Sequence, residues 1–248
     1  MHLSILSFLS IFLLTNPTTA QITSAFTDPV TNISFQRFFG AKTSFAFGIA
    51  LPTNPSTDFI GQISCPCPSN TCWGGISLAD DMVGPLLLAA WPNGNTVQSS
   101  FRLAKIEDAS PLVVNGNFSV KTIEKGTSVN GTHMLFTFLC QNCIDSKLGF
   151  AASDTNAGVF EMGWALADTA VSNAADPAAE LTFHNKGFDS FDAQLSLARS
   201  ASFGEWAALA GVQSNGSTTP VPAAVPGTGS SFGGDSDDDD EDEDEDDD

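Results

Sequence analysis

Few side chains in these 248 residues are equipped for chemistry. Beyond residue 20 there are two histidines, His133 and His184. Two imidazoles are too few for a histidine-rich zinc or copper centre. The five cysteines fall in two groups. Cys140 and Cys143 form a CQNC pair, at a spacing that can close a tight disulfide in an oxidising compartment. Cys65, Cys67 and Cys72 lie together in CPCPSNTC. Three thiolates can hold a metal, but a secreted chain more often uses such cysteines for bridges. Cys72 then pairs with Cys65 or with Cys67, and one thiol is left over.

The remaining candidates are Met82 and His184. Met82 sits in the loop that opens the stretch LADDMVGPLLLAAW, residues 78–91, ahead of its apolar run at 86–91. Taken alone, a methionine is more often a flexible core filler. His184 lies in the phenylalanine-rich LTFHNKGF, residues 181–188. Taken alone, such a histidine is more often packed or capped than a ligand. Asp80 and Asp81 precede Met82. Adjacent side chains of an extended chain point to opposite sides, so these two read as loop solvation rather than an acid–base pair. His133 falls in an alternating run and reads as a half-buried strand residue. There is no G-x-S-x-G, P-loop or G-x-G-x-x-G pattern. Ile144 follows CQNC where covalent c-type haem attachment needs a histidine.

The elements that must position these residues are short. Apolar alternation marks strands at 34–39, 44–51, 59–64, 73–79, 86–91, 96–104, 118–123, 132–140 and 159–167. Pro92-Asn93-Gly94-Asn95 between two of them is a hairpin turn. The one helix-friendly stretch is 204–211, and no internal repeat is present. Many short strands with regular turns indicate an all-β fold, an antiparallel β-sandwich of immunoglobulin-like type. Aromatic packing rests on 20 phenylalanines and four tryptophans, because tyrosine is absent.

The ends read differently. Residues 3–14 are almost entirely apolar, and Thr18-Thr19-Ala20 is a small-residue cleavage site. Residues 1–20 are therefore a secretory signal, and 21–211 the folded domain. No stretch is long enough to span a bilayer. Sequons at Asn32, Asn117, Asn130 and Asn215 suit a secreted glycoprotein. Residues 212–234, rich in Ser, Thr, Pro and Gly, read as a linker, and 235–248 as a disordered acidic tail. The formal charge of −20 is mostly this tail: it holds 13 of the 29 acids, which leaves 16 against nine lysines and arginines, or about −7 for the rest. With no basic patch, nucleic acid is excluded as a partner.

In DDMVGPLLLAAW, WPNGN, CQNC and FHNKGF, the chain resembles the cytochrome domain of fungal cellobiose dehydrogenase, a haem-b module of the DOMON-like group. The resemblance runs in consistent order from about 26 to 211. It implies that Met82 and His184, 102 positions apart, are the axial ligands of a non-covalent haem b held by loops at one end of the sandwich. It also implies a Cys140–Cys143 disulfide. CPCPSNTC and the absence of tyrosine depart from the family pattern, so the pocket wall must differ.

A methionine–histidine pair leaves no open coordination position, which favours single-electron transfer over oxygen chemistry. The resemblance implies a flavin dehydrogenase as electron donor and a copper-dependent lytic polysaccharide monooxygenase as acceptor, with ferric iron as another acceptor. With no dehydrogenase domain following in this sequence, a freestanding secreted monomer relaying electrons is expected, without a catalytic site of its own. The alternative is a carbohydrate-binding module without haem, using Trp73, Trp164 or Trp206. An acidic tail would steer a basic partner. Removing 235–248 is expected to lower the association rate with such a partner several-fold at low salt and to flatten its salt dependence; an unchanged rate refutes the steering role.

Overall fold

Each of the nine alternating runs overlaps a strand in the computed structural model, which describes residues 21–211. The expected signal segment, linker and acidic tail, and Asn215, lie outside the described residues. In chain order the strands are β1 (Ser24–Thr27), β2 (Ser34–Phe39), β3 (Ala46–Pro52), β4 (Phe59–Pro66), β5 (Trp73–Ser77), β6 (Leu87–Asn93), β7 (Thr96–Leu103), β8 (Leu112–Val113), β9 (Ser119–Thr122), β10 (Ser128–Val129), β11 (His133–Gln141), β12 (Phe160–Ala167), β13 (Gly187–Ala193) and β14 (Arg199–Ser200). One short helix follows, α1 (Phe203–Ala208).

Two sheets result. The larger runs β1-β2-β3-β4-β11-β10, with β9 on β11 and β14 parallel to β3. The smaller runs β13-β12-β5-β6-β7-β8 and is antiparallel throughout. The two form the expected β-sandwich. The inner faces meet in one apolar core, where Phe38, Phe47, Ile63 and Phe136 of the larger sheet pack with Ile76, Leu88, Trp164 and Phe191 of the smaller. The WPNGN turn forms the β6–β7 hairpin, with Gly94 at φ +63°. Alternation missed β1, β8, β10, β13 and β14; β13 is the longest of them, and Gly187, two aspartates and a serine dilute the apolar period of this edge strand.

The outer face of the larger sheet is closed by α1. Phe203 and Ala207 pack with Phe35, Ala50, Ile60 and Leu139. The outer face of the smaller sheet is closed, in part, by an irregular segment. Val171, Ala179 and Leu181 pack on Trp73, Ala89, Trp91 and Ala167. Arg102, only 2% exposed, pins this cover. Its guanidinium donates to the carbonyls of Pro111 (3.0 Å), Pro177 (2.9 Å) and Ala179 (2.7 Å), and its Nε to Ser100 Oγ (2.8 Å). Only arginine's rigid fork serves so many acceptors at once.

The cysteine alternatives resolve. Cys67 is bridged to Cys72, and Cys140 to Cys143. The metal reading of the first group fails, since two of its three thiols are consumed. Cys65 is the free cysteine and is fully buried in the core. Burial pushes its thiol up to about 12. Because the thiolate is the reactive form, the native protein is expected to stay inert to a thiol reagent at pH 8. It should release one equivalent per chain once unfolded without reductant. Rapid labelling of the native protein, or three equivalents on unfolding, would contradict this pairing.

Candidate functional site

The site is built on the outer face of the smaller sheet, from the register of its strands. Gly75 lies between Ala165 of β12 and Ala89 of β6. Ala165 in turn pairs with Phe188, and Ala89 with Ser100. The neighbouring row is Ser190, Gly163, Ser77 and Leu87. The middle of this face therefore carries almost no side chain. It is a floor of Gly75, Ala165, Ala89, Gly163 and Ser77, with the Trp73 ring against Gly75 and the Ala79–Asp81 backbone over Gly163.

The Met82 loop lies across one end of this floor. Ser77 Oγ donates to the carbonyl of Asp81 (2.6 Å) and accepts from the Ala79 amide (3.4 Å). Gly163 N–H donates to the carbonyl of Ala79 (2.8 Å). A Cβ on Gly163 would stand 3.1 Å from Ser77 Cβ and 3.3 Å from that carbonyl oxygen. The absence of a side chain there lets the loop come down onto the sheet. Asp81 Oδ1 accepts from the Val83 amide (3.0 Å), which makes Asp81 a turn former rather than half of an acid–base pair. Met82 is half-buried in this loop.

His184 lies at the other end. It follows the cover and opens the turn into β13, where Gly187 N–H donates to His184 C=O (3.1 Å). Trp73, at the start of β5, donates through Nε1 to Thr182 Oγ1 (3.3 Å) and stands edge-on to the imidazole at 6.3 Å. Phe183 and Phe188 flank the ring at 4.4 and 4.3 Å. Both phenylalanines are exposed, at 69% and 60%. Burial lowers the His184 pKa below the ordinary histidine value, so the ring is neutral and keeps a lone pair. Its Nδ1 is buried with no hydrogen-bond partner in the protein. A buried polar atom without a partner points to one supplied from outside the chain.

The two loops thus share one face of one sheet. They reach it from opposite ends of β5: the Met82 loop leaves at Ser77, whereas His184 adjoins Trp73. The sandwich face between them is what they frame. Sequence reasoning missed the floor, the phenylalanine flank and the role of Trp73. It also missed a polar tie: Asn185 and Lys186, directly after His184, both bond Asp168 at the end of β12.

Of the other candidates, Trp73 alone belongs to this face. His133 starts β11 and is half-buried, with Nε2 2.7 Å from Ser64 Oγ. Burial, aided by Arg37, lowers its pKa. Trp73 and Trp164 are buried and Trp206 packs against the α1 cluster. None of the three offers the open face a carbohydrate module needs. Asn32, Asn117 and Asn130 are exposed. No helix among the described residues is long and apolar enough to cross a membrane.

The profile of the cytochrome domain of cellobiose dehydrogenase matches residues 26–205. The chain belongs to this family. The solved cytochrome domain of Myriococcum thermophilum cellobiose dehydrogenase is 33% identical, with a TM-score of 0.68, over 77% of this chain and 97% of that one. The cytochrome b domain of pyranose dehydrogenase from Coprinopsis cinerea shares the fold, with a TM-score of 0.65 over 75% of this chain and 95% of that one, at 23% identity. A pyrroloquinoline quinone-dependent pyranose dehydrogenase of Coprinopsis cinerea is 29% identical over 179 residues, 68% of this chain. That match spans 24% of the relative, so this chain corresponds to about a quarter of it. These relatives are domains or parts of dehydrogenases, and membership in the family implies a haem cofactor and electron transfer.

Gly163→Val is expected to lift the Ala79–Asp81 strip and to cost about 1–3 kcal/mol of stability while the sandwich survives. A lowered urea midpoint with unchanged slope, and faster proteolysis within 78–86, would report it. A variant as stable and as protease-resistant as the parent would show that the loop does not rest on this glycine.

Proposed function

We propose that Met82 and His184 hold a non-covalent haem b between them over the Gly75–Ala165 floor, and that the protein is a secreted carrier of single electrons. The observation that carries this reading is the His184 imidazole. It is aromatic-flanked and lacks a protein partner on its buried Nδ1, and it adjoins Trp73 at one end of β5, whose other end leads into the Met82 loop. A floor of glycine and alanine suits the edge of a flat macrocycle, and exposed Phe183 and Phe188 are the apolar walls such a group would cover.

Haem, when bound, supplies a one-electron iron couple, which a thioether ligand biases toward the ferrous state. The chain's own residues do the rest. Met82 and His184 would both ligate the iron and so deny it to oxygen or peroxide. Trp73, Phe183 and Phe188 keep water from the ring faces. The donor would be a sugar dehydrogenase, since relatives bear the names of cellobiose and pyranose dehydrogenases. With a flavin dehydrogenase as donor, the acceptor would be a copper-dependent polysaccharide monooxygenase or ferric iron. The two disulfides support an oxidising, extracellular setting.

The test is an absorption spectrum of the haem-reconstituted full chain, oxidised and then reduced, beside Met82→Ala and His184→Ala. The expected parent spectrum is six-coordinate, low-spin and b-type, turning high-spin or vanishing in each variant. A folded parent that takes up no haem would overturn the reading.

A further inference from the structure

The turn that carries His184 is not anchored by apolar packing. Phe183 and Phe188 on either side of it are 69% and 60% exposed, and Asn185 and Lys186 are exposed as well. Polar bonds hold it instead, and they converge on one residue. Asn185 Nδ2 donates to Asp168 Oδ1 (2.7 Å), while the Asp168 amide donates back to Asn185 Oδ1 (3.2 Å). Lys186 Nζ lies 2.7 Å from Asp168 Oδ2, and the Lys186 amide donates to the carbonyl of Leu166 at 3.0 Å. Asp168 directly follows β12, whose Ala165 is part of the floor. The reciprocal Asp168–Asn185 pair therefore fixes the residue after His184 to the strand that carries the floor.

Solvent-exposed bonds of this kind contribute little to global stability. What they do fix is the chain directly after His184, on the side away from the Trp73–Thr182 bond that precedes it in sequence. We propose that Asp168 and Asn185 form a positioning pair that holds His184 at the geometry needed for haem ligation. This rests on the reading of His184 as a ligand. The pair acts through His184 and touches no haem itself. The Lys186 ion pair, half-exposed, adds less than the two-way amide–carboxylate bonding.

The test uses the haem-loaded full chain and reads the low-spin fraction of the ferric spectrum and the rate of haem loss to excess apomyoglobin. Asp168→Ala and Asn185→Ala are each expected to raise the loss rate by about tenfold, as removal of groups that orient a metal ligand commonly does. Each should introduce a high-spin fraction, with the urea midpoint of the haem-free protein unchanged. The double variant should be little worse than either single one, because each alone already removes the Asn185 Nδ2–Asp168 Oδ1 bond. Lys186→Met should change the rate less than about twofold. Parent-like spectra and loss rates in both alanine variants would overturn the proposal. So would a fall in the haem-free midpoint matching the effect on haem, which would make the pair an ordinary structural tie; failure of both variants to fold counts the same way. His184→Ala separates the two levels: if it leaves the spectrum low-spin, the ligand reading itself has failed, whereas parent-like pair variants beside a high-spin His184→Ala refute the positioning pair alone.

Discussion

The smaller sheet has two buried faces, and one guanidinium makes the second possible. An antiparallel sheet usually packs one face and wets the other. Here the outer face carries Trp73 and Trp91, which need cover, and the cover is irregular chain whose carbonyls have no ladder to join. Arg102 supplies donors to two of them, those of Pro177 and Ala179, and Trp91 Nε1 donates to a third, that of Ala174 (2.9 Å). The cover ends at Leu181, whose amide is held by Ser110 Oγ (3.0 Å). His184 comes three residues later. Its place on the sheet is therefore set by a buried cation on β7, far from it in sequence.

Most of the scaffold was legible in the sequence because period-2 alternation and turn chemistry are local. The β6–β7 hairpin needed only the PNGN turn and its apolar flanks. What stayed hidden depends on parity and register. Cys65 and Cys67 look equivalent in CPCPSNTC, yet β4 carries Cys65 into the core beside Ile63 while Cys67 falls just past the strand's end. No spacing rule separates them, because the strand's last residue decides. The pairing of Met82 with His184 rests on resemblance to a family pattern, because no local physics pairs two residues 102 positions apart. The floor between them was invisible for the same reason. Gly75, Ala89 and Ala165 become neighbours only when β5 pairs with β6 and β12.

That floor is costly to the fold. Glycine inside a strand loses about 0.5–1 kcal/mol relative to alanine, and Gly75 and Gly163 both lie in strand interiors. The row that packs least is the one the proposed function needs bare. The compensation is local: Trp73 leans on one end, and the Ala79–Asp81 backbone rests where a Gly163 side chain would stand.

The same arrangement explains why the ties around the site are polar and individually small. An apolar anchor would have to occupy the floor or its walls, the surfaces a flat ligand would cover. Ser77 Oγ, Trp73 Nε1 and the Asp168–Asn185 pair instead grip the loops by their backbone and flanking residues, from beneath or from the side. A carrier of single electrons needs its ligands in one fixed geometry, and rigid placement by groups that do not themselves touch the ligand meets that need.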